Sequence, residues 1–319
     1  MRSALVVAVL MAAGCSGGAA VSSPTPRPPA PRPTAHVTAP SSRTPAPTPS
    51  YPPVHVPRPV RISKVLTIVE ENASASTALA RMPFLAALGR DFGRATRYAG
   101  LTHPSLPNYL AMVGGSSFGV TDDGGPSQHP IPGTSVFDAA LHRGRTATTY
   151  AEGMDGTCDR RNHGRYVVRH NPWVYFSDPT VRRGCAMHDL PLGALDGDLR
   201  RGTLPTVGLV IPDLCHDGHD CALRTADAWL QALVTRVLAG PDYRAGRLAV
   251  VVTFDEVDLG RTGDLLTVVV APGLRHVRVT GALSHLSWCR WMTDLVGEAP
   301  LGRAGGAPSL GVAFRLRTG

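Results

Sequence analysis

Lysine is almost missing from this chain. Lys64 is the only one in 319 residues, and arginine supplies nearly all of the formal charge of +8. A positive balance suits an anionic substrate or surface, and it also suits plain solubility. Aromatic residues make up only 6% of the sequence and no arginine cluster is interleaved with them, so a nucleic-acid-binding surface is not expected. Beyond the first residues no apolar run is long enough to cross a bilayer. Cys-x-x-Cys does not occur, which removes structural zinc of the finger type. No internal repeat is present.

Glycine (34) and proline (29) are in excess, and much of the proline falls in one block near the N-terminus. Met1 to Gly14 reads as an export signal, with Arg2 as its basic part and Ala4 to Ala13 as its apolar part. Ala12-Ala13-Gly14-Cys15 resembles a lipoprotein cleavage site, with Ala12 where leucine is usual, and makes Cys15 the candidate lipidation site. An ordinary secretory signal is the alternative. Either reading places the protein outside the cytoplasm, held at the cell membrane by a lipid anchor only or secreted and associated with the cell wall. Residues 15–60, rich in Pro, Ala, Ser, Thr and Arg, cannot bury a core and are expected to form an extended, partly polyproline linker. Residues 61–319 read as one globular domain.

Export makes disulfides available. Cys158 and Cys185 bracket a loop-rich stretch, Cys215 and Cys221 bracket a short step, and both pairs are expected to be bridged. Cys289 lies in an apolar helical context and reads as a buried thiol.

Val65–Val69, Thr206–Ile211, Leu248–Phe254 and Leu265–Val270 are continuous apolar runs of strand length. Helical patterns cover Thr77–Leu88, Ala222–Leu238 and His285–Val296. Apolar strands separated by helices predict an α/β fold, with a mostly parallel central sheet and helices on both faces. Chemistry in such sheets gathers at the C-terminal ends of strands. The first run leads into Glu70-Glu71-Asn72, the second into Asp213, His216, Asp217, His219 and Asp220, and the third into Asp255-Glu256. Carboxylates delivered by three strand ends repel one another unless a cation neutralises them, and mixed oxygen and imidazole ligands suit a divalent metal ion. For any one of these acids a solvated loop position is the competing reading.

A nucleophile is offered by Thr102-His103-Pro104-Ser105-Leu106-Pro107-Asn108-Tyr109, where Ser105 would start an apolar helix over Asn108–Val113. A helix N-terminus favours an anionic phosphate, and metal coordination activates a serine hydroxyl. A helix-capping or turn serine is the plainer alternative.

These residues resemble the bacterial phosphoesterase family that contains acid phosphatases and phospholipase C-type enzymes, within the alkaline phosphatase superfamily. The resemblance is carried, in order, by Glu70-Glu71-Asn72, Thr102 to Leu110, Thr121-Asp122-Asp123, His170 to Phe176, Pro212 to Cys221, Thr253 to Glu256 and Ser284-His285. It implies an alkaline phosphatase-like fold and a phosphoesterase domain over 61–319. It also implies Glu71, Asn72, Asp255 and Glu256 as metal ligands, Ser105 as nucleophile, and Asn108 as donor to a phosphoryl oxygen. Asp213, His219 and His285 fall where related two-metal enzymes hold a second ion, with His216 ranked behind His219. His170 and Tyr175 are implied near the substrate; a packed, satisfied histidine is the alternative for His170. The chain departs from the family at Ala73-Ser74-Ala75, where His or Lys, Ser and an aromatic are usual.

The function implied is hydrolysis of phosphate monoesters by an exported, metal-dependent enzyme of the acid phosphatase kind. A phospholipase C-type phosphodiesterase is the alternative within the same chemistry. A non-catalytic surface lipoprotein that binds phosphate compounds or carbohydrate is the alternative from another class.

Overall fold

The central strand Lys64–Glu70 is buried at every residue after Lys64, and Leu248–Phe254 and Val207–Ile211 are buried throughout. Successive side chains of a strand point to opposite faces, so a strand with no exposed residue must be covered on both. In this computed structural model, which describes residues 61–258 and 263–318, the two covers are helical. All described residues belong to the compact unit Thr48–Gly319. The expected signal over 1–14, Cys15 and the whole 15–60 linker lie outside the described residues.

Among the described residues the main sheet has eight strands. From one edge to the other they are Val277–Val279, Gly93–Ala95, Thr267–Val270, Leu248–Phe254, Lys64–Glu70, Val207–Ile211, Ala147–Ala151 and Asp189–Pro191. Neighbours run parallel except at Thr267–Val270, which is antiparallel to both of its partners. The sheet is therefore mostly parallel, as the apolar runs predict; the direction of the fourth run could not be read from its composition. Ala147–Ala151 was not marked by an apolar run, because threonines fill its centre.

Thr67 on the central strand accepts a hydrogen bond from Trp288 Nε1 at 2.8 Å, which docks the helix His285–Val296 onto that face. The period of two puts Glu71 on the same side as Thr67 and turns Glu70 to the other. The expected helix over 77–88 is two helices, Ala75–Arg81 and Pro83–Asp91. Pro83 cannot continue the first, and restarts the second as its first residue. Ser74 caps the first helix by accepting from Thr77 N at 3.2 Å. Both expected disulfides, Cys158–Cys185 and Cys215–Cys221, are formed, and Cys289 is a buried free thiol. No described helix is long and apolar enough to cross a membrane.

Candidate active site

Three neighbouring parallel strands end at one rim, because Lys64–Glu70 pairs in register with Val207–Ile211 on one side and Leu248–Phe254 on the other. Asn72 adopts a left-handed backbone (φ 53°), which asparagine tolerates better than most residues. That turn lets Asn72 N donate to Asp255 Oδ1 at 3.2 Å and Asn72 Nδ2 donate to Glu71 Oε2 at 3.1 Å. The backbone N–H of Glu256 also points at Asp255 Oδ1, at 2.6 Å.

The helix Ser105–Gly114 begins at the candidate nucleophile, three residues earlier than the sequence pattern indicates. Ser105 Oγ donates to Glu71 Oε2 at 3.2 Å. One turn on, Tyr109 donates its hydroxyl to Glu71 Oε1 at 2.9 Å. Ser105, Glu71, Asp255 and Glu256 are all buried.

Asn108 has a different job from the one the resemblance implies. Its Oδ1 accepts from Leu101 N and Thr102 N at 2.8 and 3.2 Å. Its Nδ2 faces Thr102 O, Pro104 O and Glu256 Oε2 at 2.7, 3.2 and 3.3 Å. The amide is thus engaged in folding the loop 101–104 against Glu256, which leaves it no free donor for a phosphoryl oxygen.

Behind Glu71 sits His170, with its Nε2 3.2 Å from Glu71 Oε1 and its Nδ1 3.3 Å from Asp217 Oδ2. Its ring stacks on Tyr109, with centroids 5.2 Å apart. Neither approach has hydrogen-bond geometry: among the described residues His170 Nε2 and Asp217 Oδ2 are buried without a hydrogen-bond partner, and so is Asp255 Oδ2. Ligand atoms of Glu71, His170 and Asp217 lie within 4.8 Å of one another.

Electrostatics point the same way. Burial, then the neighbouring carboxylates Asp255 and Asp217, push the Glu71 carboxyl well above its ordinary range. Burial also raises Asp255, and raises Glu256 to about 8 with Asp255 and Asp123 adding to it. Asp217 is pushed up to about 7, chiefly by burial. His170 is pushed down to about 3 by burial, so it is neutral. Carboxylates packed this closely, with buried oxygen and nitrogen atoms that lack hydrogen bonds, fit a divalent cation, which would satisfy those atoms and offset the repulsion.

The other expected ligands are not brought together. Asp213 Oδ1 caps the turn that follows it, accepting from Cys215 N and His216 N at 2.9 and 3.0 Å. Asp213 groups with Glu152 and His216, the histidine ranked second, rather than with His219. The His219 ring meets Asp220 at 2.7 Å through Nδ1 and Arg169 at 3.3 Å through Nε2. His285 is buried, with Nε2 donating to the Asp255 carbonyl at 2.6 Å and Nδ1 at 3.3 Å from the Tyr98 hydroxyl. Both nitrogens of each ring are occupied, so His219 and His285 do not share a ligand set with Asp213. Tyr175 is buried with its hydroxyl on Gly124 O at 3.1 Å, where it supports the 122–125 loop instead of facing the cleft. The sequence pattern places Asp217 at the rim without singling it out and assigns no role to Tyr109, for which the i, i+4 spacing from Ser105 is the available signal.

Above Glu256 opens a cleft of about 260 Å³ lined by Gly100, Thr102, His103, Val257 and Gly263 among others. His103 Nδ1 stands 3.0 Å from Glu256 Oε2 at its edge. A buried serine hydroxyl held on a carboxylate can present an oxygen nucleophile to an ester.

Residues 69–259 match the Phosphoesterase family. The chain belongs to it. This phosphoesterase is 28% identical over 251 residues to the phosphatidylinositol-3-phosphatase of Mycobacterium tuberculosis, covering 77% of this chain and 81% of that one. It is 31% identical over 170 residues to a probable acid phosphatase of Kluyveromyces lactis, covering 50% of this chain and 40% of the relative. It spans about half the length, or less, of the fungal acid phosphatases it matches. In fold it is similar to a Vibrio parahaemolyticus protein of the alkaline phosphatase superfamily, with a TM-score of 0.56 at 10% identity over 79% of this chain and 74% of that one. The phosphoesterase is a hydrolase acting on phosphoric esters.

Proposed function

We propose that this protein is an exported, metal-dependent phosphatase that hydrolyses phosphate monoesters through a serine nucleophile. The observation that carries the reading is the 3.2 Å contact of Ser105 Oγ with Glu71 Oε2, both of them buried. Glu71, Asn72, Asp255 and Glu256 would hold a divalent ion that supplies Lewis acidity to the serine hydroxyl and the phosphoryl oxygens. Ser105 Oγ attacks phosphorus in line and the alcohol leaves; water then hydrolyses the phosphoserine. Glu71 orients the Ser105 hydroxyl, and is itself fixed from its other oxygen by Tyr109. Asn108 holds the loop that walls the cleft beside Glu256.

Monoesters are favoured by the M. tuberculosis relative, whose name gives a 3-phosphate of phosphatidylinositol as its substrate. Export is supported by the two disulfides, which persist in oxidising compartments. Lipidation at Cys15 and a linker over 15–60 complete the reading as a tethered surface enzyme. Ser105→Ala tests it: purified variant protein should lose on the order of 10³-fold or more in turnover of an aryl phosphate. Near wild-type turnover in a folded variant would end the assignment.

A further inference from the structure

Arg169 precedes the buried His170 within the short 3-10 turn Val168–His170, and its side chain is 20% exposed. Its Nη2 reaches His219 Nε2 at 3.3 Å, and its Nε stands 3.7 Å from Asp123 Oδ2, too far for a hydrogen bond. The other oxygen of Asp123 accepts from Leu106 N at 3.0 Å. Leu106 follows the nucleophile, so Asp123 ties the guanidinium to the first turn of the Ser105 helix. Its positive charge reaches His170, Tyr175, Asp217 and Glu256. A guanidinium has five N–H donors, and one contact to His219 leaves most of them free.

The site around it is acidic: Glu71, Asp217, Asp255 and Glu256 are buried within it. Such a ring repels an incoming phosphate, and it repels a dianion about twice as strongly as a monoanion. Positive charge close to these acids offsets the repulsion in the same proportion. A planar fork also matches two phosphoryl oxygens of a terminal phosphate, whereas a diester has fewer charged oxygens to offer.

Resting on the serine phosphoesterase reading, we infer that Arg169, steadied by Asp123 and His219, binds the phosphoryl oxygens of the substrate and sets a preference for dianionic monoesters over monoanionic diesters. The geometry makes it a substrate-binding residue at the mouth of the site. It takes no part in holding the cation.

The test uses metal-loaded protein and its Arg169→Gln and Arg169→Lys variants, assayed with p-nitrophenyl phosphate and bis(p-nitrophenyl) phosphate and inhibited with inorganic phosphate. Arg169→Gln should raise both the KM for the monoester and the inhibition constant of phosphate by about 10-fold or more, while kcat/KM for the diester changes less than about 3-fold. Arg169→Lys keeps the charge without the fork and should fall between. If the glutamine variant does not fold, the lysine variant decides, with a shift of at least about 3-fold in the phosphate constant expected. An unchanged phosphate constant, or equal losses on the two esters, overturns the inference. Ser105→Ala run in parallel separates the two readings. Turnover retained there sinks the serine assignment; turnover lost there, with phosphate inhibition unmoved at Arg169, sinks this inference alone.

Discussion

The Tyr109 hydroxyl holds Glu71 Oε1 at 2.9 Å while Ser105 Oγ and Asn72 Nδ2 share Glu71 Oε2 at 3.2 and 3.1 Å. One carboxylate is therefore gripped from both oxygens, by two residues one helical turn apart and by its own neighbour. Its rotation is removed before any substrate arrives, which is what a preorganised site requires. The same grip places the buried acid where it can serve the serine and a cation together.

Tyr109→Phe deletes the grip on one side without opening a cavity. The phenol is buried, so the ring packing against His170 survives while Glu71 loses a hydrogen bond. Turnover is expected to fall about 10-fold, with a stability change near 1 kcal/mol. Kinetics and a thermal melt on the same preparation check both. Unchanged kcat would show that Glu71 is held well enough by its remaining partners.

Gly100 sits where the chain passes the end of the Asp255 strand. A Cβ there would stand 3.0 Å from the Asp255 carbonyl and 3.6 Å from both Asn108 Oδ1 and Glu256 Cα. Two of these neighbours are fixed: the carbonyl accepts from His285 and Asn108 braces the loop. Gly100→Ala should push Asp255 and Glu256 off position and cost about 1–3 kcal/mol, with a loss of activity larger than the loss of stability would explain. A melt that moves while turnover stays normal would refute the link to the site.

Much of this arrangement was legible in the chain because buried parallel strands announce themselves. Val65–Val69 and Leu248–Phe254 have no exposed face, so Glu71 and Asp255 had to emerge at one rim, and they do. The loop after Ile211 was less legible. It carries Asp213, His216, Asp217, His219 and Asp220, and composition does not say which of them turns inward. Gly218, with φ near +90°, reverses the backbone there; Asp217 goes in and His219 stays at the rim. The partners of His285 were hidden for another reason. The Asp255 carbonyl and the Tyr98 hydroxyl come from distant segments that no local pattern connects.

Stripping the metal should make stability fall as pH rises. Burial and neighbouring acids hold Glu71 and Asp255 above the ordinary carboxylate range and Glu256 up to about 8. Carboxyls raised in this way bind more protons in the folded state than in the unfolded one. Their stabilisation is complete below the ordinary glutamate value of 4.5 and is lost as pH climbs toward about 8. Melts in chelator should therefore drop between about pH 5 and about pH 8, and an added divalent ion should restore the upper end most. A flat or rising Tm in chelator across that window would mean that the acids are not crowded in solution.

The two disulfides are expected to divide stability from activity. Cys158–Cys185 closes a separation of 27 residues and Cys215–Cys221 one of 6, so loop entropy assigns about 3–4 kcal/mol to the first and about 2 kcal/mol to the second. Position reverses that order for catalysis. The short loop carries Asp217, whose carbonyl accepts from Glu71 N at 2.8 Å and whose Oδ1 accepts from His219 N at 2.8 Å. Freeing that loop loosens the backbone of a proposed metal ligand as well as a buried acid beside it. Replacing Cys215 and Cys221 with serine should thus lower metal retention and turnover more than replacing Cys158 and Cys185, while the second pair lowers Tm more. Metal content after gel filtration, turnover and melting on both double variants read the two orders separately. If both quantities follow loop length, the 213–221 loop serves the fold alone and Asp217 has no part in holding the site.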